Sequence, residues 1–290
     1  MSTVAVTDSA LDVVGLTSLM SLSSGSPAIP IGLVDGPVVA SHPDLGDATL
    51  VQVGDSAATC RLADSGACAH GTFIAGILAA RRASAAPAIC PDSPLLVRPV
   101  FAEVAADGGP LAAPAEVGAA IADCVDAGAR LVNLSAAVGY PSVRVEALLR
   151  QALDFASKRG VLVVAAAGNQ GTVGTSEITR HPGVLPVVAY DDSGRPHAHS
   201  NLGRSLGLRG VGAPGRTTSL SPDGATTVQS GTSVATAFVS GAAALLLALA
   251  DGARSSDLVH ALVGGLRRRS VTPPLLDAAT AYRQLAGQDA

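Results

Sequence analysis

The sequence predicts a doubly wound α/β fold with a mainly parallel sheet and helices on both faces. Two observations carry this. Five short runs rich in valine and leucine, "IPIGLVD", "PLLVRPVF", "ARLVNLS", "GVLVVAAAG" and "VLPVVAY", are apolar on both faces, as buried parallel strands are. Between them lie stretches with helical spacing, and strand, helix, strand repetition calls for right-handed crossovers in one sheet.

In chain order, "IPIGLVD" is the first buried strand, and an apolar helix is expected from about Gly71 to Arg82. "PLLVRPVF" follows, then a helix over Pro114 to Ala127, and then "ARLVNLS". A helix over Ser142 to Arg159 leads to "GVLVVAAAG", and "VLPVVAY" comes next. The stretch "SGTSVATAFVSGAAALLLALA", Ser230 to Ala250, reads as a buried helix that opens on glycine and small hydroxyl residues. Ser23 to Ala28 and Arg216 to Thr227 read as turn-rich connections. Residues 1–30 are read as an N-terminal leader segment with a short helix, and 31–290 as a single α/β domain.

Composition narrows function. With 48% hydrophobic and 14% charged residues among 290, and a mean hydropathy of +0.41, the chain can build one large core and is not disordered. A net charge of −4 and 2% aromatics provide neither a basic stripe nor stacking platforms, so no nucleic-acid partner is expected. No membrane association is expected either, because the longest apolar run, Val239 to Ala250, is short and contains Ser240 and Gly241. The first twenty residues lack lysine and arginine and show no secretory cleavage pattern, which points to a cytoplasmic protein. The cysteines, Cys60, Cys68, Cys90 and Cys124, pull against that location, since disulfides belong to oxidising compartments.

Ligand sites in such sheets lie beyond the carboxyl ends of the strands. Asp35 ends the first strand, His70 stands at the mouth of a helix, Asn169 follows "VLVVAAAG", and Ser233 opens the Ser230 to Ala250 helix. Each has an ordinary reading alone: Asp35–Gly36 as a turn pair, His70 and Ser233 as helix starters, Asn169 as a polar turn residue. Together they place Asp, His, Asn and Ser in that order at the functional edge of one sheet.

On these residues the chain resembles the subtilisin-like serine proteases, whose triad runs in the order Asp, His, Ser. "IGLVDGPVVASHPDL", "HGTFIAGI" and "GTSVATAFVSGAAAL" match the family's three blocks, and "VNLS", "AAAGN", "SNLG" and "GAPG" match supporting segments, so the resemblance spans roughly Ile31 to Ala250. It implies a serine endopeptidase without a cofactor, acting on a peptide. Ser233 would be the nucleophile, His70 the general base and Asp35 its orienting partner. The Asn169 side chain and the Ser233 N–H would form the oxyanion hole. Substrate would lie as an extended strand on Leu134, Ser135, Ala136, Ala137 and Gly139, with Ala166, Ala167 and Gly168 as the other wall of the primary pocket.

There are departures from the family. Asp35 is followed by Gly-Pro rather than Ser/Thr-Gly, and "LAARRASAAPAICPDS" replaces the asparagine-rich calcium loop. No strong calcium site is expected, although Asp44 is a candidate remnant. The segment around Asp35, the apolar leader and the cysteines look most like subtilases that mature ribosomally made precursor peptides, notably the cyanobactin type. A general intracellular protease and an inactive peptide-binding scaffold are the other readings. Macrocyclising relatives carry a helical insertion between the aspartate and the histidine. Only 34 residues separate Asp35 from His70, which favours plain hydrolysis.

For the cysteines, two disulfides, Cys60–Cys68 and Cys90–Cys124, stand against four reduced thiols. A zinc site on Cys60, Cys68 and His70 would consume the general base. Arg180, just before His181–Pro182, has two destinations. At the floor of the primary pocket it would select an acidic or small polar side chain; turned outward it would pair with Glu177.

Overall fold

In a computed structural model of the chain, residues 10–55, 59–62, 65–101, 112–135, 143–264 and 270–287 are described. A short helix, α1 (Leu16–Leu22), precedes β1 (Ile31–Asp35), β2 (Leu50–Gln52), α2 (Gly66–Ala79), β3 (Leu95–Pro99) and α3 (Pro114–Asp126). Then come β4 (Leu131–Leu134), α4 (Val143–Lys158), β5 (Leu162–Ala166), α5 (Glu177–Arg180), β6 (Val184–Tyr190), α6 (Arg204–Arg209) and β7 (Val211–Pro214). A hairpin of β8 (Arg216–Leu220) and β9 (Thr226–Ser230) leads into α7 (Thr232–Leu249), followed by α8 (Ser255–Val263) and α9 (Ala278–Leu285).

Seven strands form one sheet in the order β2-β3-β1-β4-β5-β6-β7, and every pairing is parallel. From β1 the chain passes to the edge strand β2, returns to β3, then crosses to β4 and winds outward to β7, so the direction of winding reverses beside β1 and its carboxyl end sits at the switch point where α/β sheets open a crevice. The central strands are mostly apolar on both faces because the sheet is covered twice. Ile31, Leu33, Leu131, Leu162 and Val164 face one core together with α2 and α7, while Val34, Val132, Leu134, Val163 and Ala165 face the other together with α3 and α4. That alternation is the period of two expected of a strand.

The helices show how each face was chosen. In α3, the buried residues Val117, Ala120, Ile121, Cys124 and Val125 recur at helical spacing and make one stripe. In α7 every residue from Thr232 to Leu247 is buried, so this helix runs through the core instead of lying on it. It is the single helix among the described residues that is long and apolar enough to cross a membrane, and its apolar surface is covered by protein.

Three sequence expectations change. The first apolar helix begins at Gly66, not Gly71, because the Ser65 hydroxyl accepts the Cys68 N–H and caps it there. Arg216 to Thr227 is mostly hairpin rather than loose connection: Thr217, Thr218 and Ser219 are buried strand residues whose small polar side chains resemble a turn in sequence. The strands β2 and β7 were hidden by their brevity. The segment before β1 does contain a short helix, and Leu11, Val14, Leu16 and Leu19 are buried in the same core as α7.

Candidate active site

Asp35 ends β1 fully buried. Its Oδ1 accepts the Gly36 N–H at 2.6 Å and pairs with His70 Nδ1 at 2.6 Å, while its Oδ2 is buried with no partner among the described residues. The aspartate reaches the histidine because the Asp35–Gly36–Pro37 turn is pressed onto the first turns of α2. A Cβ on Gly36 would stand 1.9 Å from the Ala67 carbonyl oxygen, and one on Gly71 would stand 2.4 Å from that of Gly36. Any side chain at either place would drive the two elements apart and lengthen the Asp–His contact.

A carboxylate only accepts hydrogen bonds, so His70 Nδ1 carries the proton and Nε2 is left as the basic nitrogen. Burial by itself pushes the imidazole pKa down; the charge of Asp35 and the hydrogen bond to it act the other way and prevail, leaving His70 above its ordinary value. The ring keeps 28% of its side-chain surface exposed, enough for access from outside.

Across the crevice, Ser233 is the second residue of α7 and is 9% exposed. The N-cap, Gly231, has φ 145°, which a larger residue rarely adopts, and its N–H donates to the Gly215 carbonyl at 2.8 Å. The Thr232 N–H donates to Asn169 Oδ1 at 2.9 Å, and the Gly168 N–H donates to Thr232 Oγ1 at 3.2 Å. These bonds lock the Asn169 carboxamide against the helix start with its oxygen occupied, so Nδ2 is the end free to serve as a donor. At the second helical position, the Ser233 N–H has no carbonyl four residues back. The helix start therefore offers donors and a partial positive charge to an anion. The helices α2 and α7 pack against each other, but Ser233 and His70 share no hydrogen bond among the described residues. Free enzymes often tighten this contact only with substrate bound.

Leu134 and Ser135 leave the carboxyl end of β4 buried; Ala136, Ala137 and Gly139 lie outside the described residues. A buried polar relay anchors this exit. Asn133 Nδ2 donates to Ser135 Oγ at 2.9 Å, and Ser240 Oγ of α7 donates to Asn133 Oδ1 at 3.0 Å. Asn133 is fully buried in an otherwise apolar strand, and that misfit was the signal available in "VNLS". Ala166 ends β5, and Ala167 and Gly168 continue toward Asn169.

Arg180 takes the outward alternative. It ends α5, pairs with Glu177, which also pairs with Arg150 at 2.5 Å, and keeps 58% of its side chain exposed. The pocket-floor placement is corrected accordingly, since the short capped helix directs residue 180 toward solvent and its near acidic neighbour. The cysteines divide. Cys60 and Cys68 form a disulfide, with Cα atoms 5.5 Å apart. Cys90 and Cys124 are free, buried thiols, which corrects the expected second bridge. They lie in the cores on opposite faces of the sheet, so β1 and β3 stand between them. Asp44 accepts from Arg81 Nη2 at 2.9 Å.

A carboxylate–imidazole pair facing a helix-borne serine, with amide donors beside it, is the site of a serine hydrolase on a parallel sheet. The family model described as "Subtilase family" matches residues 26–274, and the chain belongs to that family. It is a subtilisin-like serine endopeptidase. It is 32% identical over 210 residues to Subtilisin BL of Lederbergia lenta, covering 72% of each chain, and 32% identical over 228 residues to Subtilisin DY of Bacillus licheniformis, covering 76% of each. Among solved structures, the protease domain of PatA matches at 30% identity with a TM-score of 0.83, and the prenylagaramide maturation protease PagA at 30% with 0.82. Each match covers 93% of this chain and 98% of the other. The PatG macrocyclase domain, at 20% identity and a TM-score of 0.81, shares the fold.

Proposed function

We propose that this endopeptidase hydrolyses a ribosomally made precursor peptide, with Ser233 as nucleophile, His70 as general base and then acid, and Asp35 as the group that orients the imidazole. Asn169 Nδ2 and the Ser233 N–H receive the oxyanion. The substrate chain pairs with the strand leaving β4 from Leu134, and its side chain before the scissile bond lies against Ala166 to Gly168. The observation that carries the peptide class is the similarity to the PatA protease domain and to PagA, a maturation protease by name, over nearly the whole length of both chains.

The chemistry follows from the geometry. With Nδ1 hydrogen-bonded to Asp35, His70 Nε2 takes the Ser233 proton as Oγ attacks the carbonyl carbon, and later returns it to the leaving amine. The Asp35 charge stabilises the imidazolium formed between those steps. Water then hydrolyses the acyl-enzyme by the same route. Among the described residues between Asp35 and the start of α2 there is only a 3-10 turn (Pro43–Leu45) and the strand β2. The acyl-enzyme is left open to water, which favours hydrolysis over ring closure.

The test compares a precursor peptide with unfolded casein, and labels the enzyme with a fluorophosphonate. Wild type should label and should cleave the precursor at one site with little casein turnover; casein cleaved as readily would make it a general protease. Ser233→Ala should abolish both labelling and hydrolysis. Asn169→Ala should lower kcat by about 10²–10³ with KM nearly unchanged, because the bond it removes forms in the transition state. A fully active Ser233→Ala enzyme overturns the assignment.

A further inference from the structure

We infer that Asn201 is a positioning residue for the oxyanion donor, acting on Asn169 through the loop that carries it; the inference rests on the role proposed for Asn169. That loop follows β5, and Ala167 still donates its N–H to the Val187 carbonyl of β6 at 2.9 Å. Residues 168–172 have no partner in the seven-stranded sheet, yet a donor at the apex must be held closely in place. The Asn201 side chain does the holding.

Asn201 Oδ1 accepts from the Gln170 N–H, the Thr172 N–H and the Thr172 hydroxyl, each at 3.1 Å. Nδ2 donates to the Ala167 carbonyl at 3.0 Å and to Gln170 Oε1 at 2.6 Å, and the Asn201 N–H donates to the Gly168 carbonyl at 2.9 Å. The amide orientation is settled by its partners, because two backbone N–H groups can only donate. Its contacts thus flank Asn169 at two and one residues before it and at one and three after it.

The approach is as close as the loop allows. Gly168 has φ 98°, and a Cβ there would lie 2.5 Å from Asn201 Nδ2. Two further bonds, Gly171 N–H to the His199 carbonyl at 2.8 Å and Leu202 N–H to the Thr172 carbonyl at 2.9 Å, hold the two segments together on either side. Asn169 therefore sits between two anchors: the first turn of α7 fixes its carboxamide, and Asn201 fixes its backbone. Without the second anchor the carboxamide would still bind Thr232, but the loop would carry it away from the position an oxyanion requires. Misplacement of about 1 Å can cost on the order of 10²-fold in rate.

A double-mutant cycle on peptide hydrolysis tests this. Asn201→Ala should lower kcat by about 10- to 100-fold with KM within about 2-fold of wild type. In an Asn169→Ala background the same change should cost less than about 2-fold, because the group it positions is gone. Asn201→Asp keeps the shape and the acceptor but loses the donor to Ala167, so its kcat should fall between wild type and Asn201→Ala. It also carries the cycle if the alanine variant does not fold. An equal loss in both backgrounds, or a loss entirely in KM, overturns the positioning role. If Asn169→Ala leaves kcat unchanged, the oxyanion reading itself fails and this inference with it.

Discussion

As the proposed general base, His70 should carry the pH behaviour of the enzyme. Its imidazole must be neutral to accept the Ser233 proton, and Asp35 holds it protonated to higher pH than an ordinary histidine. The kcat/KM profile should rise with pH through a midpoint above about 6.5, the usual histidine value. In Asp35→Asn the carboxylate is gone and burial alone acts, so the midpoint should move below that value while kcat falls by about 10⁴, as in other triads that lose this charge. A midpoint that does not move would remove Asp35 from the electrostatic account. The stability sign runs opposite to activity. With a raised folded pKa, the Asp35–His70 pair stabilises the fold fully below about pH 6.5, and this contribution is lost as pH rises through the folded value.

Within single elements, the cysteines separate by what surrounds them. The Cys60–Cys68 bridge ties the segment before α2 to its first turn, two residues ahead of His70, and a loop this short contributes about 2–3 kcal/mol in the chain-entropy model. The Cys90 and Cys124 thiols are each pushed up to about 12, chiefly by burial. They should resist alkylation in the native protein at pH 8 and react only on unfolding. Mass spectrometry after alkylation without reductant should find two modified cysteines in denatured protein and an intact Cys60–Cys68 linkage; a Cys90–Cys124 peptide would contradict their separation by the sheet. Because these folded values lie above the unfolded ones, the stability the protonated thiols supply is complete below about pH 9 and is lost between about pH 9 and 12.

At the scale of the whole molecule, one side chain adds to the apolar packing that docks the segment before β1. Arg82, just beyond α2, donates through Nη1 to the Met20 carbonyl, and through Nη2 to those of Ser23 at 2.6 Å and Ile89 at 2.8 Å. It thus fastens α1, whose Leu16 and Leu19 are buried, to the body of the domain. Burial lowers the guanidinium pKa, yet the charge is kept because three carbonyls solvate it. Arg82→Ala should lower unfolding free energy by about 1–3 kcal/mol, the scale of losing hydrogen bonds from a charged donor. Arg82→Lys should recover only part of it, since one ammonium cannot span three acceptors on two segments. Chemical denaturation measures both, and a change below about 0.5 kcal/mol for the alanine variant would show that α1 docks by its apolar face alone.

Much of this was legible in the chain. Strands buried on both faces are apolar on both, so the valine- and leucine-rich runs of β1, β3, β4, β5 and β6 could be found despite Asp35, Arg98 and Asn133, as could α3 and α4 from helical spacing and α7 from its long apolar run. Asp35, His70, Asn169 and Ser233 each had an ordinary local reading, and only their order and the family-like blocks around them marked them as candidates. What the sequence left open depended on distant partners. Whether Arg180 turned inward or outward was decided by where Glu177 and Arg150 stood. Cys90 and Cys124 could be paired on paper but not through a sheet. Asn201 could be matched as part of "SNLG", but its grip on residues 167–172 exists only once two loops far apart in sequence meet. Local propensity and burial are written residue by residue, while a side chain's partners are set by packing across the whole fold, and that only the tertiary structure decides.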